Sequence, residues 1–158
     1  MITPGTIKLG LEGVDKRQAI EALVDLIVAS GKVTDRGAIL SAVVDREARG
    51  STGLENGIAI PHARTAGVTD VLCALGISKA GIDFDSVDGR PCHLIFLIVA
   101  PPEESTGYLK ALAAVALIGR DADIVTRLRA AASPAEVMAH LADAGGANPW
   151  PGRSEAGA

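Results

Sequence analysis

Apolar residues recur at two different periods along this chain, and the switch between them restricts the fold to architectures that combine helices with a sheet. Between residues 15 and 29, Ile20, Leu23, Val24 and Ile27 fall at i, i+3, i+4 and i+7, the stripe of a helix, with Asp15 as N-cap and Ser30-Gly31 as its stop. A second helix is predicted from about Thr34-Asp35, where Ile39, Leu40, Val43 and Val44 keep that spacing until Gly50. The pattern then becomes short apolar runs bounded by Gly, Pro and Asp, at 58–60, 71–77 and 93–100, with an Asp88-Gly89 turn before the last. Thr6 to Leu9 is a candidate edge strand. Helical spacing returns over 105–117, where Leu109, Leu112, Ala113 and Ala116 mark a stripe. Asp121 caps a short helix to Ala130, and Ser133-Pro134-Ala135-Glu136 opens a last helix to about Ala142 with a capping-box pattern. Helices around clustered strands predict a single-domain layered α/β sandwich, a mixed β-sheet flanked by helices. The domain is expected over residues 1–144. Residues 145–158, with Trp150 as their one large group, have the composition of a flexible C-terminal tail.

Composition narrows the function. The 15 Lys and Arg against 19 Asp and Glu leave a net charge of −4, which disfavours a surface built for nucleic acid or anionic lipid. Phe84, Phe96, Tyr108 and Trp150 are the only aromatic residues, so the core must be aliphatic and base-stacking platforms are lacking. The longest stretch free of Asp, Glu, Lys and Arg is the twelve residues 91–102, short of the roughly 20 a membrane helix needs. Met1 to Gly5 shows no basic segment followed by an apolar one, so a cytoplasmic location without membrane insertion is expected. Cys73 and Cys92 lie in apolar runs without CxxC spacing and read as a reduced, buried pair rather than a disulfide or metal site.

The chemistry concentrates in residues 45–63. Arg46, at Ile39 + 7 and Val43 + 3, falls on the apolar stripe of its helix, where a guanidinium needs an anionic partner or a route to water. Pro61 cannot donate to a sheet ladder and belongs at a strand end or edge, which presents His62 at the rim. Between them Gly50, Gly53 and Gly57, with the hydroxyls of Ser51 and Thr52, allow backbone N–H groups to turn toward an anion. An arginine, a donor loop and a rim imidazole describe an oxyanion or phosphate site. A neutral imidazole, with a reference pKa near ~6.5, offers one lone pair to phosphorus, while Arg46 would spread over the phosphoryl oxygens. A histidine after a strand-end proline also commonly just hydrogen-bonds a neighbouring carbonyl, and spacing alone leaves both readings open. Arg64 would share the side of His62 if the chain stays extended. Arg49 reads as a surface residue, His93 as structural, and His140 as half of an exposed i,i+4 pair with Glu136.

Thr52 to His62, reading Thr-Gly-x-x-x-Gly-Ile-Ala-Ile-Pro-His, resembles the phosphohistidine signature of the fructose/mannitol-type enzyme IIA domains of the phosphoenolpyruvate-dependent sugar phosphotransferase system. The likeness continues through Arg46-Glu47, Gly81-Ile82-Asp83-Phe84 with Val87-Asp88-Gly89, and the strand ending Ala100-Pro101-Pro102. It implies that His62 accepts a phosphoryl group from the phosphohistidine of an HPr-like carrier and passes it to a cysteine of a IIB domain, through which a membrane IIC component could be approached. It implies tele-phosphohistidine at His62, phosphate stabilisation by Arg46, and a phosphate-binding loop including Thr52 and Gly53, with no metal or organic cofactor. Where many members carry a second histidine, this chain has Tyr108. A phenol can donate a hydrogen bond to phosphate or orient His62 but cannot carry an imidazolium's charge; equally, Tyr108 can simply pack at its helix edge. Two roles follow from the resemblance. One is a relay in sugar uptake; the other is a nitrogen-type regulatory IIA whose phosphorylation controls binding to a target protein.

Overall fold

The computed structural model describes residues 2–12 and 14–144; the expected tail and Trp150 lie outside the described residues. Among the described residues five strands and five α-helices follow in chain order: β1 (Ile7–Lys8), α1 (Lys16–Ala29), α2 (Arg36–Ala48), β2 (Ile58–Ala59), β3 (His62–Arg64), β4 (Leu72–Ile82), β5 (Cys92–Ala100), α3 (Thr106–Arg120), α4 (Ala122–Ala130) and α5 (Pro134–Asp143). The capping residues behave as their chemistry requires. Asp15 accepts from the Gln18 amide at 2.8 Å while the Gln18 side chain accepts from the Asp15 amide at 3.0 Å. Asp35, Asp121 and Ser133 cap α2, α4 and α5 with their side-chain oxygens. Glu136 does not complete a capping box, because its Oε2 accepts from the amide of Ala132 at 3.0 Å. That bond also corrects the expected pairing of Glu136 with His140: among the described residues the two form no ion pair.

The sheet is mixed, in the order β1-β4-β5-β2, with β3 also on β5. β4 and β5 are antiparallel, Leu72 opposite Val99 through Ile77 opposite Leu94; β1, β2 and β3 run parallel to their neighbours. Strands β2 and β3 form one broken edge, paired in succession along β5 and interrupted at Ile60 and Pro61. The Ile98 amide donates to the Pro61 carbonyl at 3.1 Å, so pairing survives a residue that has no N–H of its own.

Alternation along the strands divides the core into two layers. Ile58, Ile60, Cys73, Leu75, Leu94, Phe96 and Ile98 face one side, against α3, α4 and α5. Ala59, Ala63, Leu72, Ala74, Ile95, Leu97 and Val99 face the other, against α1 and α2. Helices on both faces of the sheet make the layered α/β sandwich expected from the periodicities. The core is aliphatic, with Phe84 and Phe96 fully buried within it. Cys73 and Cys92 are free thiols in different layers, as expected of a reduced pair.

One helix is rotated from its sequence-based expectation. In α3 the buried residues are Tyr108, Ala111, Ala114, Val115, Ile118 and Gly119, whereas Leu109 is 61% exposed. An alanine-rich helix is apolar on two faces: of the expected stripe, Leu109, Ala113 and Ala116 face outward and only Leu112 packs, half-buried, against the core. The strand after Pro61 is likewise absent from the sequence pattern, and β4 continues five residues beyond 77.

Candidate functional site

A cleft of about 360 Å³ opens where the edge strand β3 meets α2 and the start of α3. Its polar lining is Asp45, Arg46, Arg49, His62, Arg64 and Tyr108. Elements from both layers therefore converge on one end of the sheet.

His62 is the first residue of β3 and half-buried. Its Nδ1 lies 2.6 Å from the Ile60 carbonyl oxygen. A carbonyl oxygen only accepts, so Nδ1 carries the proton and Nε2 keeps the lone pair. Burial, the largest influence, moves the imidazole below its ordinary pKa; the Ile60 carbonyl opposes this, the Arg46 charge adds to it, and Glu47 opposes it weakly. Above that depressed value the ring is neutral and nucleophilic at Nε2.

Arg46, in the last turn of α2, donates from Nη1 to the Gly50 carbonyl at 3.0 Å. Among the described residues it has no carboxylate partner. The charge buried on the apolar stripe is its neighbour Glu47, which falls at Val43 + 4 and whose side chain is 5% exposed. Glu47 Oε2 accepts from Lys16 Nζ at 2.8 Å and from the Thr52 amide at 3.0 Å, and Oε1 accepts from the Thr52 hydroxyl at 2.5 Å. Lys16 also sits 5.4 Å over the Phe84 ring. A buried carboxylate is thus paired and hydrogen-bonded on both oxygens, as desolvation demands.

These bonds give Thr52 and Gly53 a place different from the expected phosphate loop. Thr52 is buried, with both its donors held by Glu47, and the Gly53 amide donates to Ser51 Oγ at 2.9 Å. Neither lines the cleft. Gly53 is required by close approach: a Cβ there would stand 2.5 Å from Ser86 Oγ and 3.2 Å from the Phe84 carbonyl oxygen. The two residues anchor the loop that follows Arg46 against α1 and the 84–86 segment.

Arg64 points to the same side as His62 and takes part in the cleft. Its Nη1 donates to Ser105 Oγ at 3.2 Å, and its guanidinium lies 5.5 Å from the centre of the Tyr108 ring. Tyr108 and His62 rings are 6.0 Å apart, tilted by 55°. Tyr108 is 8% exposed, and burial raises its phenol above the ordinary value despite the lowering influence of Arg64 and Arg46, so the hydroxyl stays protonated. Arg49, expected at the plain surface, also lines the cleft, and Asp45 joins it unforeseen. Both sit on or just after the last turn of α2, within four residues of Arg46, which is the signal that could have found them. His93 is structural: its Nδ1 donates to the Ser78 carbonyl at 2.9 Å. Among the described residues no cluster of His, Cys, Asp and Glu could hold a metal, and no helix is long and apolar enough to cross a membrane.

Residues 1–144 match the family described as phosphoenolpyruvate-dependent sugar phosphotransferase system, EIIA 2. The chain belongs to this family. Among relatives of this EIIA chain, the fructose-specific EIIA component of Haloferax volcanii is 39% identical over 128 residues, covering 81% of this chain and 83% of the relative. The nitrogen regulatory protein of Pseudomonas aeruginosa is 34% identical over 131 residues, covering 83% and 85%. The fructose-specific EIIABC component of Bacillus subtilis is 43% identical over 112 residues, 71% of this chain, but this chain spans only 18% of that protein's length. The crystal structure of the nitrogen regulatory protein IIA-Ntr of Neisseria meningitidis superposes with a TM-score of 0.76 at 30% identity, covering 87% of this EIIA chain and 94% of that one. The mannitol IIA of Escherichia coli, solved in complex with phosphorylated IIB, shares the fold with a TM-score of 0.78 at 23% identity.

Proposed function

We propose that this EIIA domain is a phosphocarrier in which His62 accepts a phosphoryl group from the phosphohistidine of an HPr-like protein and passes it to the cysteine of a IIB domain. The observation that carries the reading is the bond from His62 Nδ1 to the Ile60 carbonyl, 2.6 Å long, in a cleft lined by three arginines. It fixes the tautomer in which Nε2 is the nucleophile.

In the first step the Nε2 lone pair forms a bond to phosphorus as the donor's P–N bond breaks, and the electron pair of that bond returns to the donor imidazole. The Nδ1 proton stays on its carbonyl throughout. In the second step a cysteine thiolate forms a P–S bond and the P–Nε2 bond breaks, restoring the lone pair of His62. Arg46 neutralises charge on the equatorial oxygens during both transfers. No metal is called on, because the guanidiniums supply the positive charge. The Escherichia coli mannitol IIA solved with phosphorylated IIB supports a partner of that kind, and a membrane IIC would be reached only through it.

Incubation with phosphoenolpyruvate, enzyme I and HPr should add one acid-labile phosphate, located on His62 by mass spectrometry. Full labelling of a His62→Ala variant would overturn the assignment.

A second reading is favoured by the nitrogen regulatory relatives and by Tyr108 in the cleft: a regulatory IIA whose phosphorylation state governs binding to a target protein. A phosphoryl group would add about −1.5 to −2 charge at the centre of a cationic surface. Pull-downs with phosphorylated and unphosphorylated protein separate the two, since a target bound equally by both forms excludes phosphate control.

A further inference from the structure

The geometry points to Arg64 as a second phosphoryl-binding cation of the His62 cleft, held in place by the aromatic face of Tyr108 and not by its hydroxyl. This deepens the phosphocarrier reading and rests on it for the transfer step alone.

Three observations carry it. First, β3 places Arg64 two residues after His62, and the intervening Ala63 is buried on the opposite face, so both side chains rise from the sheet on one side. Second, the guanidinium is anchored at two points, Ser105 Oγ at 3.2 Å and the Tyr108 ring at 5.5 Å. An exposed arginine otherwise samples many rotamers; the ring and the hydroxyl remove most of that freedom before any ligand arrives. Third, among the described residues Arg64 has no carboxylate partner, although Asp45 lines the same cleft. Its charge is left for an incoming anion.

Tyr108 is suited to the supporting part. It is buried, its ring lies 5.5 Å from the Arg64 guanidinium and 6.0 Å from the His62 ring, and its phenol stays protonated and supplies no charge. A guanidinium stacked on an aromatic face keeps the N–H groups at its edge free for phosphoryl oxygens. Arg46 from α2 and Arg64 from β3 would then grip the phosphoryl group from two sides, one from each layer of the sandwich.

The test uses Arg64→Met, Arg64→Lys, Tyr108→Phe and Tyr108→Leu, the last filling the buried site without an aromatic face. Thermal melts first confirm that each variant folds. Inorganic phosphate is titrated while the His62 ring signals are followed by NMR, and phosphorylation by phospho-HPr is timed in parallel. Arg64→Met is expected to weaken phosphate binding and to lower kcat/KM for transfer by about 10- to 100-fold, with partial recovery in Arg64→Lys. Tyr108→Phe should stay within about twofold of the parent, while Tyr108→Leu should fall toward Arg64→Met. The Tyr108→Leu/Arg64→Met pair should be little worse than Arg64→Met alone. Loss in Tyr108→Phe equal to that in Arg64→Met, or unchanged phosphate binding in Arg64→Met, overturns the inference, as does a parent His62 signal insensitive to phosphate. If phosphate binding follows the expected order but HPr transfers nothing, Arg64 keeps its anion-binding part and the relay reading fails instead.

Discussion

The carboxylate of Glu47 holds both donors of Thr52, the amide at 3.0 Å and the hydroxyl at 2.5 Å, while Lys16 closes the same carboxylate from α1 at 2.8 Å. The motif threonine therefore faces the protein interior and sets the path of the chain leaving Arg46. Removing the carboxylate leaves the two Thr52 donors unpartnered and Lys16 with only the exposed Asp85, 3.6 Å away. Glu47→Ala should cost about 3 kcal/mol of stability, and Thr52→Val about 1 to 2, with Thr52→Ser close to the parent. Urea denaturation measures this, and a Glu47→Ala loss under about 0.5 kcal/mol, as at an ordinary surface site, would contradict the arrangement.

The imidazole of His62 should titrate below the ordinary value near ~6.5, because burial outweighs the Ile60 carbonyl and Arg46 repels the added proton. In the folded protein it resists protonation that the unfolded chain accepts. The folded state therefore binds fewer protons, and this group's contribution is fully present above ~6.5 and lost as pH falls toward the depressed folded value. Phosphorylation at Nε2 should decline only as pH falls through the depressed folded value, where the ring takes up its second proton. An NMR titration of the ring locates the midpoint, and Arg46→Leu should shift it upward by removing the like charge. A downward shift in that variant would refute the role assigned to Arg46.

Gly53 should not tolerate a methyl group. Its Cβ would stand 2.5 Å from Ser86 Oγ, 3.0 Å from Ser86 Cα and 3.2 Å from the Phe84 carbonyl, and two of those atoms are backbone. Gly53→Ala is expected to lose about 1 to 3 kcal/mol through overpacking. The comparison is Gly89→Ala, which meets open space but sits at a φ of 71° and should lose only about 1 kcal/mol, through backbone strain. Equal melting temperatures for Gly53→Ala and the parent would show that the loop yields.

Both thiols should be silent in the native state. Burial pushes Cys73 up to about 12 and also raises Cys92, whose sulfur lies 3.1 Å from Ser86 Oγ. A thiol reagent at neutral pH is expected to modify neither until denaturant is added. Rapid labelling of Cys73 before unfolding would mean that β4 opens locally.

Much of this was legible in the residues, and the exceptions share a cause. Strong single-face patterns located α1 and α2 closely, and the Pro61-His62 pair with Arg46 pointed to the cleft. Alanine hid the phase of α3, because a helix apolar on two sides leaves the choice to whatever the sheet offers, here the face of β5 that carries Leu94, Phe96 and Ile98 into the same core cluster as Tyr108 and Ala111. Glu47 was hidden by its charge, although its position at Val43 + 4 marked it as facing inward. Thr52 and Gly53 read as anion donors because hydroxyl and glycine chemistry suits a phosphate loop equally well. Only the location of the Glu47 carboxylate and of Ser86 distinguishes a grip on phosphate from a grip on the protein itself.

The broken edge has a consequence for how such a chain tolerates change. His62, Ala63 and Arg64 lie opposite Ile98, Val99 and Ala100, and side chains alternate between layers along them. A single-residue insertion or deletion between Ile58 and His62 would turn the imidazole toward α1 and α2 and put the methyl of Ala63 in its place. Length variation should therefore be purged from the five residues before Ala63, whichever protein the domain serves.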